Sequence, residues 1–405
     1  MFYGGIEWAI DKFDIHILNE QGHTVKTFLI KNTYDDFCQA LETLRGLSPD
    51  PADFRLAIET KHNRLIEFLN AHGYAVYFLP PNQMKSVRDS YGSSGAKSDP
   101  SDCAVQADWL RTHPDRFERI QPEGEKTELI RLLVADLDFL TREKVRLHNR
   151  LMAVLREYFP AALQCFSDPT GSTARAFLET FPTFEQARKA SVKKLQQFLR
   201  RQHCYTPGLA EKMHGLLQQP PIPVPDAMVQ AKQKAMLVLV AQLKVLCPQM
   251  TQYEAQLQAL VQEHPDGPLF LSLPGVGDYL AAKLIACFGE RRARFTDAGA
   301  LQTLAGTCPV TRRSGRSRQV LYRFGCNKAW RQLFTQWAFC SLTRSTYAKA
   351  YHRKKRREGK SHRHALRCLA NAWVKVAFTL WQRRTAYDEK IHLASMAAQQ
   401  LAQAS

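Results

Sequence analysis

The chain has 405 residues, a formal net charge of +18, 45% hydrophobic residues and 23% charged residues. This composition is typical of a globular protein with room for two or three domains. It has no run of about 18 apolar residues, so no membrane-spanning helix is indicated. The ten cysteines form no C-x-x-C pair, which argues against a disulfide framework or a zinc site. The N-terminus lacks a signal-peptide layout, and we expect a reduced, cytoplasmic protein.

The positive charge is concentrated in one late segment of the chain. Positions 311–384 contain 20 Lys and Arg and a single acid, Glu358, while the rest of the chain is close to neutral. A solvated basic surface usually intersperses acids, so this excess favours a surface that binds a phosphate backbone. We therefore expect nucleic acid as a partner. The densest run is a generic phosphate binder and consists of Arg353, Lys354, Lys355, Arg356 and Arg357.

The first 91 residues have the pattern of a mixed α/β sheet. Three strands are predicted within positions 2–30, the second of them from the alternation of Phe13, Ile15 and Ile17 with polar residues. Helices and strands then alternate, starting with a helix after the capping pair Thr33 and Asp36 and including a strand at 54–59. Three strands in sequence followed by this alternation predict a sheet of the ribonuclease-H type.

Four carboxylates fall where such a sheet would gather a site. Glu7 ends the first predicted strand and Glu59 the fourth, while Asp99 and Asp102 begin a helix after the loop at 92–95. Taken alone, the two aspartates are explained by helix capping. Strand ends of open α/β sheets meet in one cleft, where four carboxylates would repel unless they shared cations. In this order the four predict a Mg²⁺ (or Mn²⁺) site for phosphodiester chemistry.

From about Glu123 the pattern changes to long helices. Apolar residues from Leu133 to Val154 recur at spacings of four and three, and a second long helix is predicted from about Ala227. Pro248 predicts a kink or a break in that second helix. The two helices are consistent with an antiparallel helical arm or with a dimerising coiled coil, and we expect only spacing and assembly from them.

A glycine-rich motif and an arginine-flanked serine follow. Gly275 and Gly277, in the sequence LPGVG, suit the hairpin of a helix-hairpin-helix module whose backbone N–H groups approach a phosphate, although a simple turn is the alternative. Ser314 precedes a glycine and could be an exposed nucleophile for a phosphodiester. On residues alone, a loop that holds DNA without a covalent role is favoured. The arginines around Ser314 are Arg312, Arg313, Arg316 and Arg318.

In combination these motifs resemble the DEDD transposases of the "insertion sequence 110" family, to which the pilin-gene invertases are related. The resemblance covers about residues 1–120 and 265–385. It rests on GIEW at 5–8, AIET at 57–60, GAKSDPSD at 95–102, LPGVG at 273–277 and RSG at 313–315. It implies four regions: a RuvC-like domain at 1–122, a helical coiled-coil region at 123–262, a mostly helical transposase domain with a helix-hairpin-helix-like motif at 263–387, and a tail at 388–405.

The resemblance also implies a mechanism. Glu7, Glu59, Asp99 and Asp102 fall on the family's catalytic, metal-binding positions, and Ser314 falls on its nucleophile. Ser314 would attack a phosphodiester, form a covalent phosphoserine link and free a 3′-hydroxyl. The resemblance further implies a homodimer that assembles to a tetramer, and a structured bridge RNA that pairs with donor and target DNA.

One position departs from the family pattern. The first acidic residue is usually aspartate, and here it is Glu7. The added methylene moves the carboxylate by about one C–C bond, and a displacement of about 1 Å can cost about 10²-fold in rate. Two alternatives to the recombinase therefore stay open. One is a metal-dependent RuvC-like nuclease without serine chemistry, and the other is a non-catalytic, transposase-derived protein that binds nucleic acid.

Overall fold

The computed structural model describes residues 1–91, 99–220, 222–315 and 317–394. The predicted loop at 92–95 and most of the predicted tail at 388–405 lie outside these ranges. The chain divides into two compact units, Met1–Glu123 and Gly124–Ser405, and each is described by itself. The predicted division into four regions stays a prediction.

The first unit is built on a six-stranded mixed sheet with the strand order β3-β2-β1-β4-β5-β6. β1 pairs antiparallel with β2 and parallel with β4, while β5 is parallel to β4 and antiparallel to β6. The mixed sheet that the sequence predicts is confirmed, and β6 is a strand that the sequence analysis missed. In chain order the elements are β1 (Phe2–Trp8), β2 (Lys12–Leu18), β3 (Thr24–Lys31), α1 (Tyr34–Leu47), β4 (Phe54–Ile58), α2 (Arg64–Ala71), β5 (Ala75–Phe78), α3 (Pro81–Tyr91), α4 (Asp99–Thr112) and β6 (Glu118–Ile120).

Side-chain caps begin the first two helices of this unit, and the cap of α1 is the one that the sequence predicts. The Thr33 hydroxyl accepts a hydrogen bond from the N–H of Asp36 at 3.3 Å and begins α1. Asn63 does the same for the N–H of Ile66 at 2.8 Å and begins α2. Gly73 lies just beyond the end of α2 with φ +86°, a left-handed conformation that suits glycine and turns the chain into β5. The spacing between helices and strands is thus fixed by local signals.

Helices cover both faces of the sheet. Ile6 on β1 faces a core that includes Phe37 from α1 and Leu65 from α2. The adjacent Gly5 points to the opposite face, because successive strand residues alternate. A Cβ atom on Gly5 would lie 1.9 Å from the carbonyl oxygen of Cys103 on α4. Glycine at this position therefore allows α4 to lie directly against β1.

Two long helices organise the second unit. They are α5 (Glu125–Tyr158) and α11 (Asp226–Glu263). An ion pair of 2.9 Å joins Lys126 at the start of α5 to Glu263 at the end of α11, and Lys232 near the start of α11 pairs with Glu157. The helices are therefore antiparallel within one chain, as one of the two sequence interpretations expects. The helix continues through Pro248, so the predicted break does not occur.

Each end of this helix pair carries its own hydrophobic core. At one end, Leu155 and Leu243 pack with Phe177 and Phe198. At the other end the core includes Trp337 and Trp373, whose rings stack at 5.0 Å. Within the described ranges, no helix is both long and apolar enough to cross a membrane. The remaining elements of the unit are α6 (Pro160–Cys165), α7 (Ser172–Thr180), α8 (Phe184–Arg188), α9 (Val192–Arg201), α10 (Leu209–Gln218), α12 (Gly267–Leu271), α13 (Asp278–Phe288), α14 (Ala298–Leu304), β7 (Val310–Ser314), β8 (Ser317–Leu321), α15 (Lys328–Ser341), α16 (Thr346–Arg357) and α17 (His362–Arg383).

Candidate acidic site and basic nucleic-acid surface

Two of the predicted acidic residues lie side by side at one edge of the sheet. β1 and β4 are neighbouring parallel strands, and Ile6 pairs with Ile58 at the last position of their ladder. Glu7 and Glu59 each follow by one residue, so both carboxylates leave the sheet at the same end. Nε2 of Gln106 donates to Oε2 of Glu7 at 3.0 Å and to Oε1 of Glu59 at 3.4 Å. One amide group therefore bridges the two carboxylates.

Helix α4 supplies the other side of this cluster. Asp102 and Gln106 are separated by four residues, so they lie one turn apart on the same helix face. That face is buried, with Asp102 only 1% exposed and Gln106 fully buried. The helix begins at Asp99, in agreement with the predicted start. The side chain of Asp99, the fourth predicted acidic residue, lies outside the described residues.

Asp102 is held by an arginine that the sequence analysis did not identify. Nε of Arg88 donates to Oδ1 of Asp102 at 2.6 Å, and Nη2 donates to Oδ2 at 2.6 Å. This is the two-pronged geometry in which guanidinium binds carboxylate most strongly. Arg88 comes from α3 and is 28% exposed, whereas its partner is almost completely buried. The pairing compensates for the burial of the Asp102 charge.

The donor atoms at the sheet edge have the chemistry that a hard divalent cation prefers. Glu7 and Glu59 offer carboxylate oxygens, and Oε1 of the buried Gln106 has no hydrogen-bond partner. A half-turn of the Gln106 amide about its last side-chain bond would exchange Nε2 for Oε1, and an amide oxygen beside two carboxylates fits a cation that takes all-oxygen ligands. No group of three or more His, Cys, Asp or Glu residues within the described ranges is arranged to hold a metal. The fit therefore rests on the type and burial of these donors.

Two further polar side chains near Glu7, those of Asp14 and Cys103, have partners of their own. Asp14 lies opposite Glu7 in the β1–β2 ladder, but its carboxylate pairs with Lys12 at 3.0 Å. The thiol of Cys103 donates to the carbonyl oxygen of Asp14 at 3.1 Å. Burial, with the nearby charges of Glu7, Asp14 and Asp102, raises the pKa of Cys103 to about 12. The thiol therefore stays protonated at neutral pH and acts as a donor.

Ser314 lies at the tip of an exposed β-hairpin in the second unit. β7 and β8 pair antiparallel, and Ser314 is opposite Ser317 at the last position of the ladder. Gly315 begins the turn with φ +53°, which glycine adopts readily. Ser314 and the neighbouring Arg312, Arg313 and Arg318 are all exposed, whereas Arg316 lies outside the described residues. The serine is thus presented to solvent among cationic side chains.

The glycines of the LPGVG motif have a different local explanation. Gly275 has φ +77°, and a Cβ atom there would lie 2.6 Å from the backbone carbonyl carbon of Cys340 on α15. The indole N–H of Trp337 donates to the carbonyl oxygen of Pro274 at 3.0 Å. Gly277 caps α13 and has open space around it. Packing of the turn against α15 therefore accounts for the first glycine, and the helix-hairpin-helix role of both stays a prediction.

The basic run at 353–357 occupies the last part of α16. Arg353, Lys354, Arg356 and Arg357 are exposed. Lys355 pairs with Glu358 at 2.9 Å. Hydrogen bonds from Lys360 and Lys355 lower the pKa of Glu358 to about 2, so the acid stays ionised near its two cations. The net effect is an exposed cationic surface at the end of the helix.

Two family models match this chain over separate stretches. A model described as "Transposase", for the DEDD transposases of the IS110 group, matches residues 4–160. A second model, described as "Transposase IS116/IS110/IS902 family", matches residues 267–353. The first stretch contains the acidic cluster, and the second contains Ser314 and its arginines.

Similar proteins extend the match to almost the whole length. The chain is 30% identical over 398 residues to the "Mini-circle putative transposase for IS117" of Streptomyces coelicolor, with 95% of each chain covered. It is 28% identical over 331 residues to the "Insertion element IS110 uncharacterized 43.6 kDa protein" of the same organism, with 79% of this chain and 78% of that one covered. It is 26% identical over 381 residues to the "Insertion element IS116 uncharacterized 44.8 kDa protein" of Streptomyces clavuligerus, with 93% and 92% covered.

The matched sequences define the class of protein, which is a DEDD transposase acting on DNA. More narrowly, the chain belongs to the IS110 family of insertion-sequence transposases. The family resemblance found in the sequence motifs is thereby confirmed.

Proposed function

We propose that this transposase cleaves and rejoins DNA strands through a covalent phosphoserine intermediate at Ser314, with a divalent cation at the acidic site. The observation that supports this most strongly is the convergence of Glu7, Glu59 and Gln106 at the end of two parallel strands. Such a cluster of oxygen donors suits phosphodiester chemistry.

The acidic residues have separate parts in this proposal. Glu7, Glu59 and the amide oxygen of Gln106 would hold Mg²⁺ or Mn²⁺, and Asp99 and Asp102 would complete the ligand set. Asp102 would exchange its ion pair with Arg88 for the cation. When bound, the cation would supply Lewis-acid stabilisation of negative charge on phosphate oxygens.

Ser314 is the proposed nucleophile. Its oxygen loses a proton and bonds to phosphorus, while the 3′ oxygen of the broken strand departs and takes up a proton as a hydroxyl. The bond energy of the phosphodiester is retained in the phosphoserine link, so the strand can be rejoined. The exposed guanidinium groups of Arg312, Arg313 and Arg318 would stabilise the added negative charge at phosphorus.

The proposed partners are donor and target DNA and a structured bridge RNA that pairs with both. The basic surfaces at 312–318 and 353–357 would bind the phosphate backbones. Glycines 275 and 277 would contribute backbone N–H groups. A homodimer would assemble to a tetramer on DNA. The guide RNA and the tetramer rest on the resemblance of the sequence motifs to the family.

Plasmid recombination in cells tests this proposal. The element is supplied with its flanking non-coding DNA, and wild type is compared with Ser314→Ala, Asp102→Ala and Glu7→Asp. Ser317→Ala is the matched control, because it lies opposite Ser314 in the same exposed hairpin. We expect joined product from wild type and Ser317→Ala and none from either Ser314→Ala or Asp102→Ala. Recombination by Ser314→Ala would contradict the nucleophile and favour water-based cleavage at the acidic site.

A second function is supported by the pairing of Asp102 with Arg88. Both carboxylate oxygens of Asp102 already accept hydrogen bonds from Arg88, and Glu7 replaces the usual aspartate. Both features suit a transposase-derived protein that binds nucleic acid without cutting it. In that case neither wild type nor any variant other than Glu7→Asp would give product, and Asp102→Ala would change at most the affinity for DNA.

A further inference from the structure

Phe324 is an unusually exposed aromatic residue within the basic segment. Its side chain is 81% exposed, compared with 58% for Phe339 and 54% for Phe139. It follows the last residue of β8, Leu321, by three positions. A single exposed apolar side chain is common on protein surfaces, so the neighbours of this ring decide what it can bind.

The structure holds this ring in a defined position. The Phe324 ring packs edge-on against Tyr322 at 4.9 Å between centroids. Tyr322 in turn receives two guanidinium groups, from Arg331 and Arg367, each 4.7 Å from its ring centroid. Arg331 also donates to the carbonyl oxygen of Arg323. Cation–π contacts therefore hold the Tyr322 ring, and the hydrogen bond holds the backbone next to Phe324.

The charge around the ring favours one kind of partner. Between positions 311 and 357 the sequence contains no Asp or Glu, and the guanidinium groups of Arg331 and Arg367 lie over the ring of Tyr322, the partner of Phe324. A partner must offer a flat apolar face together with negative charge. A nucleobase attached to its phosphates has both, and base–aromatic stacking is a common mode of single-strand recognition.

We propose that Phe324 stacks on an unpaired nucleobase of the DNA strand that the basic hairpin holds. The base must be unpaired or at the end of a stack, because a base inside a duplex has neighbours on both faces. Phe324 is seven positions beyond Ser317 at the hairpin tip, so its backbone lies within about 25 Å of the tip. This inference rests on the proposed role of the basic segment in holding DNA.

Binding of uncut DNA tests the stacking role separately from catalysis. Full-length protein carrying Ser314→Ala is mixed, without divalent cations, with a duplex that contains a short unpaired region or with the same duplex fully paired. Adding Phe324→Ala should weaken binding to the unpaired substrate by about 5- to 150-fold and leave the paired duplex unchanged. Phe324→Trp should retain binding, and Phe339→Ala should change neither affinity.

A fluorescent base analogue in the unpaired region gives a second readout. We expect its emission to be quenched in the complex and the quenching to be lost with Phe324→Ala. Equal weakening on both DNAs, or no weakening on either, would overturn the proposal. So would a loss confined to an unpaired RNA of the same sequence. Because no strand is cut in this assay, a failure of the serine mechanism would not affect its outcome.

Discussion

At the scale of single residues, Asp102 is a buried carboxylate that is paired with an arginine. Its carboxylate is 1% exposed and is compensated by the guanidinium of Arg88. A buried carboxylate without such a partner is strongly unfavourable. A bound divalent cation could supply the same compensation. We therefore expect the stabilisation of this unit by a bound metal to depend on whether Arg88 is present.

Replacing Arg88 by alanine tests that coupling. We expect the free energy of unfolding to fall by about 3 kcal/mol without divalent cations, the lower end of the range for breaking a buried ion pair, since Arg88 is partly exposed. Added Mg²⁺ should raise the melting temperature of Arg88→Ala more than that of wild type, because the cation takes over the charge compensation. Thermal unfolding with and without Mg²⁺ measures both effects.

Arg88→Lys is the matched control for this experiment. It keeps the positive charge and loses the two-pronged geometry, so we expect a smaller loss of stability and a smaller response to Mg²⁺. An identical response of Arg88→Ala and wild type to Mg²⁺ would argue against a cation at Asp102.

Gly5 gives a second prediction at this scale. A methyl group there would meet the Cys103 carbonyl oxygen at 1.9 Å, and backbone cannot move aside as a flexible side chain can. We expect Gly5→Ala to destabilise the protein by about 3 kcal/mol by forcing α4 off the sheet. Gly46→Ala is the control, because Gly46 lies in α1 with nothing within 4 Å of its Cβ position, and there we expect a gain of about 0.5–1 kcal/mol. Chemical denaturation measures both, and a neutral Gly5→Ala would contradict the close approach.

The residues of the site differ in how far sequence could predict them. Glu7 and Glu59 are predictable, because parallel strands end at the same edge of a sheet and both acids end apolar strands. Gln106 had a weaker signal, since it lies one turn beyond Asp102 on the same face of α4. Arg88 had none, because its contact with Asp102 depends on how α3 packs beside α4. The sequence of neither helix predicts that packing angle.

At the scale of elements, α11 is a continuous helix that contains a proline. Pro248 lies 22 residues after its first residue, Asp226, and is exposed. Proline cannot donate to the carbonyl oxygen four residues earlier, and its ring crowds that carbonyl. The packing of α11 against α5 therefore maintains the helix despite a locally unfavourable residue.

Pro248→Ala should stabilise the protein. Restoring the missing hydrogen bond and removing the ring should raise the free energy of unfolding by about 1–3 kcal/mol. Gln249→Ala is the control, since it is equally exposed and has no backbone effect of this kind. Urea unfolding followed by circular dichroism measures both variants. A loss of stability in Pro248→Ala would mean that the helix pair requires the local bend that proline produces.

Element prediction succeeded where a buried face left a pattern in the sequence. β2 buries alternating apolar residues, β4 is almost continuously buried, and α5 and α11 bury apolar residues at helical spacing. β6 has only three residues, and the β7–β8 hairpin exposes almost every side chain, so neither carries a hydrophobic period. The sequence predicts a loop around Ser314. The structure has a β-hairpin there, which no hydrophobic pattern could indicate.

At the scale of the whole molecule, the net charge of +18 is carried almost entirely by positions 311–384. The exposed cations of the hairpin and of α16 belong to this segment. Counterion release makes the affinity for DNA depend on how many cations contact phosphates rather than on the total charge of the protein. The effect of where the cations lie on DNA affinity can therefore be separated by experiment from the effect of the total charge.

The separation uses two pairs of substitutions that remove equal charge. Lys354→Gln with Arg357→Gln removes two exposed cations from the last turn of α16, and Arg200→Gln with Arg201→Gln does the same in the last turn of α9. If the basic segment binds DNA, the first pair should reduce the slope of log affinity against log salt by about 1 for each lost phosphate contact. The second pair should leave the slope unchanged. Equal reductions for both pairs would mean that overall charge, and not the basic segment, controls DNA binding.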